Sequence, residues 1–161
     1  MRKIKNPYLH KEGYNCFGCC PDNPIGLHME FFEDGDDVIS FWHPQEHYQG
    51  WVGVMHGGIV ASLVDETFGW VVTRKLQTAG MTSKLEIRYK HPLSVNDSQY
   101  TIHAHITNRR AHLVFMSATI ENARGEVCVE AESVYYAFDE EKAKEMGFSH
   151  CDVENEQLLS M

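Results

Sequence analysis

No run of the 161 residues stays apolar for anything near the ~20 positions a membrane-spanning helix needs, so no membrane span is expected. Positive charge is also scarce. The chain has 14 Lys and Arg against 23 Asp and Glu, a formal net charge of −9, whereas nucleic-acid binding relies on clustered cations that neutralise phosphates. Nucleic acid is not an expected partner, and an anionic ligand would need a local basic patch. Five cysteines, an odd number, make no closed disulfide framework in a chain of this size and read as reduced thiols. The basic start MRKIKNPYLHKEG has no apolar stretch behind it, so it does not read as a secretory signal, and a cytoplasmic location is expected. Internal repeats and low-complexity tracts are missing too.

What is present reads as one domain over residues 1–161, with a core over about 15–138 and a tail over 139–161. Residues 27–43 contain two extended runs around Asp34-Gly35, a turn dipeptide. Pro44, Gly50 and Gly53 mark a loop. From Ile59 to Leu76 the chain is broken only by Gly69, which is too long for a typical strand and predicts one long helix, ended by Thr78-Ala79-Gly80. Beyond it, SKLEIRY and QYTIHAHIT alternate with the period of half-buried strands, and HLVFMSATIE and EVCVEAESVYYAF supply two more β-rich runs. The expected fold class is α+β, an antiparallel β-sheet in serial, meander order wrapped around one long central α-helix. In the tail, DEEKAKEM has a short helical pattern and CDVENEQLLSM is polar enough to fray.

The helix is apolar on nearly every face, yet it holds Asp65 and Glu66 side by side. A buried carboxylate costs several kcal/mol unless it is paired or has a task. For Glu66 the expected role is an ion pair with Lys84, Arg88 or a neighbouring subunit; for Asp65 it is chemistry. At the helix start, His56-Gly57-Gly58 places N–H groups without internal acceptors next to the positive end of the helix dipole, and glycines let a ligand oxygen approach. That suits the polarisation of a carbonyl. Nine residues of helix put His56 and Asp65 about 13–14 Å apart, too far to meet at one small centre. A dimer with antiparallel helices would bring Asp65 of one subunit opposite Gly57 of the other.

HGGIVASLVDE, preceded by HYQGWVGVM and followed by TSKLEIRYKHPL, resembles the hotdog-fold acyl-CoA thioesterases of the 4-hydroxybenzoyl-CoA and phenylacetate types, and NCFGCCPDNPIGLHMEF is similar to the N-terminal region of a bacterial branch. The resemblance covers roughly Asn15 to Phe138. It implies a hotdog fold, dimers that often join into tetramers, and an acyl-CoA or acyl-carrier thioester as substrate. It also implies Asp65 as general base or nucleophile, the Gly57 N–H as carbonyl-polarising group, and His56 as an orienting residue. Gln49, with Gly50 as an alternative register, would hold substrate or water, and Thr82, with Ser83 as runner-up, would orient the attacking water. Gly58 would line the substrate site, and Glu66 could share or take over the acid role. A thiolate leaves readily at neutral pH, so the reaction calls for no metal and no redox cofactor.

Other clusters read more plainly. Cys16-Phe17-Gly18-Cys19-Cys20 has the C-x-x-C spacing of a zinc site, but a second pair is missing, and although His10 and His28 could complete four ligands, a thiol cluster is the expected reading. His103 and His105 share a strand face and suit solvent or a subunit interface better than a metal. Arg88, Arg109 and Arg110, with Lys90 and His91, lie near turns where they could meet coenzyme A phosphates or merely be solvated. Trp42, Trp51 and Phe68 could line an acyl pocket, but aromatics here are expected in the core. Two other functions fit the same residues: a noncatalytic acyl-CoA-binding module, and a dehydratase acting on hydroxyacyl thioesters, against which the position of Asp65 on the helix argues.

Overall fold

The computed structural model describes residues 1–154; most of the polar segment expected to fray, 155–161, lies outside them. The elements in chain order are β1 (Arg2–Lys3), β2 (Phe32–Asp34), β3 (Asp37–Trp42), a 3-10 turn (Glu46–Tyr48), α1 (Gly57–Leu76), β4 (Gly80–Tyr89), β5 (Tyr100–Arg110), β6 (Leu113–Glu121), β7 (Val127–Ala137) and α2 (Glu140–Glu145). The strands form one sheet in the order β1-β2-β3-β5-β6-β7-β4, with every neighbouring pair antiparallel. This α+β architecture is the expected one, but the serial meander needs correction. β5, β6 and β7 follow one another, while β4 pairs with β7 at the far edge and β5 pairs with β3. A helix of this length spans about 30 Å, so it carries the chain across the sheet, and segment 90–99 must bring it back.

Helix α1 starts two residues before the expected Ile59 and ends at Leu76, where Gln77 takes a left-handed conformation (φ 53°). Val60, Leu63, Val64, Phe68, Val71 and Val72 are all at most 1% exposed and recur at helical spacing, so they form the stripe laid on the sheet. Burying a side chain of this size contributes about 1.5–3 kcal/mol. That burial outweighs the modest helix propensity of four valines and Gly69. Trp70 extends the buried surface to the other side, where Phe31 stacks on it at 4.9 Å. Leu27, Met29 and Phe31 of the N-terminal segment are buried there as well. The helix therefore lacks a polar stripe because the sheet covers one side and the N-terminal segment much of the other.

The segments flanking residues 15–138 also pack onto the domain. Ile4 bridges to Val153, and Ala143, Phe148 and Cys151 are buried. No helix among the described residues is long and apolar enough to cross a membrane.

Glu33, 8% exposed, fastens β2 to the end of α1: its carboxylate accepts from Arg74 at 2.9 and 3.1 Å, Lys75 at 2.9 Å and Arg2 at 3.0 Å. Burial alone would raise its pKa, but hydrogen bonds and charge from Arg74 and Lys75 prevail and hold it at about 2, below the ordinary 4.5. Because the folded value is the lower one, this contribution to stability is complete above pH 4.5 and is lost as the pH falls toward 2. Urea titrations at stepped pH should show that loss, and Glu33→Gln should flatten the same part of the curve.

Candidate active site

His56 caps α1. Its Nδ1 accepts the Gly58 N–H at 2.9 Å, and its carbonyl accepts from Ile59 and Val60. The Gly58 N–H is consumed by this cap and is not open to a ligand. Gly57 N–H has no acceptor among the described residues, and its carbonyl is held by the Tyr89 hydroxyl at 2.7 Å. With Nδ1 accepting, the ring proton of His56 lies on Nε2, at an exposed position. The loop before the helix is tied to it: His56 N–H donates to the Tyr48 carbonyl, and Gly50 N–H to the Val54 carbonyl. Gln49 Oε1 accepts the Gly53 N–H at 2.9 Å, which leaves its Nε2 as the free donor.

Two helical turns on, Asp65 meets the sheet. Its Oδ1 accepts from the Thr82 hydroxyl at 2.8 Å and the Tyr135 hydroxyl at 2.6 Å, and Tyr135 also lies 2.7 Å from the Asp65 carbonyl. Burial, and then the neighbouring Asp65 charge, push the Tyr135 pKa upward, so this phenol remains a donor. No cation pairs with Asp65 among the described residues. Its Oδ2 has no hydrogen-bond partner among the described residues.

A β-bulge decides which hydroxyl reaches Asp65. On β7 the inward residues are Val129, Ala131, Ser133, Tyr135 and Ala137, all buried. Opposite them on β4, Thr82 pairs with Tyr135 and Leu85 with Ser133, and the register shifts between Thr82 and Lys84. Without the bulge, the parity of Leu85 and Ile87 would turn Ser83 inward. With it, Thr82 faces the helix and Ser83 is exposed.

A sequence model described as the thioesterase superfamily matches residues 52–129, a span that includes the helix start, Asp65 and Thr82. The fold and this match agree with solved structures. One thioesterase superfamily protein superposes with a TM-score of 0.67 at 26% identity, covering 72% of this chain and 57% of that one. The chain has the hotdog fold and is similar to the thioesterase superfamily. Among the structures of similar fold, a hypothetical thioesterase protein from Streptococcus pneumoniae TIGR4 solved with coenzyme A has a TM-score of 0.63 at 22% identity, covering 68% of this chain and 85% of that one. The Escherichia coli PaaI protein from the phenylacetic acid degradation operon has a TM-score of 0.64 at 16% identity, covering 70% and 81%. Mouse (Mus musculus) acyl-coenzyme A thioesterase THEM4 is 28% identical over 106 residues, 65% of this chain and 45% of that protein. The chain thus spans less than two thirds of the length of the curated relative and of the first of these structures.

Within this hotdog domain the other expected site residues disperse. Glu66 makes no ion pair among the described residues: its Oε1 accepts from Trp70 Nε1 at 3.0 Å and from the Cys16 thiol at 3.5 Å, beneath the N-terminal segment. It shares no hydrogen-bond partner with Asp65. Arg88 pairs in register with Glu130 and, like Arg110, projects from the outer face of the sheet, where Arg110 covers the Phe115 ring at 5.8 Å. Arg109 does share the row Val114, Tyr135, Thr82, but three strand spacings, about 14 Å, separate it from Thr82. Trp42 and Phe68 are core residues, whereas Trp51 is 86% exposed, contrary to the expectation of burial. His103 and His105 flank an acid from the next strand, with His105 Nδ1 at 3.4 Å from Asp37. Tyr135 is the site residue that sequence reasoning missed.

Tyr135→Phe removes the donor to both the Asp65 carbonyl and its Oδ1 and should lower stability by about 1–3 kcal/mol, measured as a shift in the urea midpoint with the slope unchanged.

Proposed function

We propose that this protein hydrolyses acyl thioesters of coenzyme A or of an acyl carrier, with Asp65 as general base and the Gly57 N–H of a second subunit polarising the thioester carbonyl. The observation that carries this reading is the Asp65 carboxylate itself: Thr82 and Tyr135 fix one oxygen, and the other is left to accept a proton. Asp65 Oδ2 would take that proton from a water as the water oxygen attacks the carbonyl carbon. The resulting oxyanion would accept from Gly57 N–H, with Gln49 Nε2 and His56 Nε2 as nearby donors, and collapse would expel the thiolate, which takes up the proton. Hydroxyl donors hold the carboxylate without neutralising it, as a base requires. The likeness to acyl-coenzyme A thioesterase THEM4 and to a thioesterase solved with coenzyme A supports this substrate class.

The second subunit follows from distance. Gly57 and Asp65 lie on one unbroken helix, about 12 Å apart along its axis. β4 runs beside that helix with Thr82 bonded to Asp65 and Tyr89 bonded to Gly57, and among the described strands it pairs on one side only. Antiparallel pairing of two β4 strands about their centre would lay Thr82 of one copy opposite Tyr89 of the other, completing two equivalent sites. Association of such dimers into tetramers is compatible with this arrangement.

Thiol release from a panel of aromatic and straight-chain acyl-CoAs should fall by about two orders of magnitude or more in Asp65→Asn, while acyl-CoA binding persists. Turnover that survives this change would remove Asp65 from the mechanism; binding without turnover in the unaltered protein would make it a binding module.

Gly57→Pro tests the shared site. Proline is tolerated at the first helical position, and His56 at φ −61° and ψ 132° already suits a residue before proline. Only the proposed N–H is lost, with an expected decrease in kcat of about 10²–10³. Each variant alone is impaired, but co-refolding Asp65→Asn with Gly57→Pro chains should restore about a quarter of the native sites, because each mixed dimer holds one intact pair. A site contained in one chain would show no recovery.

A further inference from the structure

The two cysteines of the C-F-G-C stretch and Glu66 converge where the N-terminal segment covers α1. Cys16 Sγ, Cys19 Sγ and a Glu66 carboxylate oxygen all lie within 4.8 Å of one another. Cys16 Sγ is 3.5 Å from Glu66 Oε1, and tetrahedral zinc with Zn–S near 2.3 Å and Zn–O near 2.1 Å separates its sulfur and oxygen ligands by about 3.6 Å. We propose that Cys16, Cys19 and Glu66, with a water from the adjoining cleft as fourth ligand, bind a thiophilic divalent cation, zinc, in a site that pins the N-terminal segment to helix α1. The ligand that completes the C-x-x-C pair is thus the helical glutamate, not His10 or His28; His28 Nε2 is engaged with the Asn23 carbonyl.

Each ligand already has the donor that a bound anion needs. Trp70 Nε1–H points at Glu66 Oε1. Asn6 Nδ2–H donates to the Tyr14 hydroxyl at 2.8 Å, which directs that hydroxyl's proton to Cys19 Sγ at 2.9 Å. The backbone N–H groups of Gly18 and Cys19 face the Cys16 sulfur. Such outer donors orient metal ligands and keep them anionic. A Cβ at Gly18 would lie 2.4 Å from Glu66 Cδ, so a side chain there would displace the carboxylate from this position. Two thiols and a carboxylate are thus gathered in a half-buried place, and no Lys, Arg or His pairs with Glu66 among the described residues. A cleft lined by Tyr8, Tyr14, Cys16, Cys19, Glu66 and Trp70 gives an ion a way in.

The test is cobalt titration of the purified, reduced, zinc-free full chain, followed by displacement with zinc. One equivalent of cobalt should produce thiolate-to-metal charge-transfer absorption and tetrahedral ligand-field bands, both abolished by one equivalent of zinc, and zinc should raise Tm. The double variant Cys16→Ser with Cys19→Ser should lose the charge-transfer band, and Glu66→Gln, which still accepts from Trp70, should weaken binding by about tenfold or more. If the double variant does not fold, the stoichiometry of the native chain and the affinity of Glu66→Gln decide the matter. No charge-transfer band in the reduced native chain, a Cys16–Cys19 disulfide in place of metal binding, or a band unchanged in the double variant, which would point to Cys20, Cys128 or Cys151, would each overturn the proposal.

Discussion

Everything in this fold depends on burying α1 on more than one side. A helix that met only the sheet could keep a polar stripe toward solvent, and a carboxylate on it would be hydrated and unremarkable in its chemistry. Here the stripe through Val60, Val64, Phe68 and Val71 lies on the sheet, and Trp70 lies under Phe31. A carboxylate between those two covers must find its hydrogen bonds within the protein. Asp65 finds them in two hydroxyls. An arginine in their place would satisfy the charge better but would make the carboxylate a poor proton acceptor. Neutral donors fix its position and leave its charge in place.

The edge strand β4 bears the second constraint. It is ten residues long, and its start and end touch Asp65 and Gly57 through Thr82 and Tyr89. One bulged residue switches the parity of the strand, so that Leu85 and Ile87 pack inward along most of its length while Thr82 still faces the helix. A long strand edge is also a template for further pairing. That makes β4 the natural seam for the proposed two-fold assembly, and the two ends of the strand are where such an assembly would exchange groups.

The parts of this arrangement that were legible in the sequence are those set by local pattern. The length and apolar content of 59–76 specify a buried helix, Asp65 stands out in it as a charge that needs a reason, and alternation locates the later strands. Strand order was not legible, because the pairing of β4 with β7 joins segments far apart in the chain. Tyr135 escaped for a related reason: SVYYAF contains two adjacent tyrosines, and only the cross-strand register shows that Tyr135 faces inward while Tyr136 is exposed. Arg88 and Arg110 depended on the same parity. A carboxylate in a sequence points to cations as partners, whereas the neighbours of Glu66 are a thiol and an indole.

Asp65 and Glu66 are adjacent in sequence and therefore about 100° apart around the helix. One is aimed at the sheet edge and the other at the N-terminal segment, so each reports on the rotation of the same cylinder. Apolar packing against a sheet resists translation of a helix strongly but rotation about its axis less, because neighbouring valines can substitute for one another in the contact. The contacts of Glu66 with Trp70 and Cys16 are directional, and Gly18 closes over the carboxylate with no room for a side chain. They fix the rotation from the side opposite the sheet. In the proposed reaction Asp65 must be held within about 0.5 Å to act on a water, and its aim is set from both sides of the helix, by hydroxyls on one and by the Cys16–Glu66 cluster on the other.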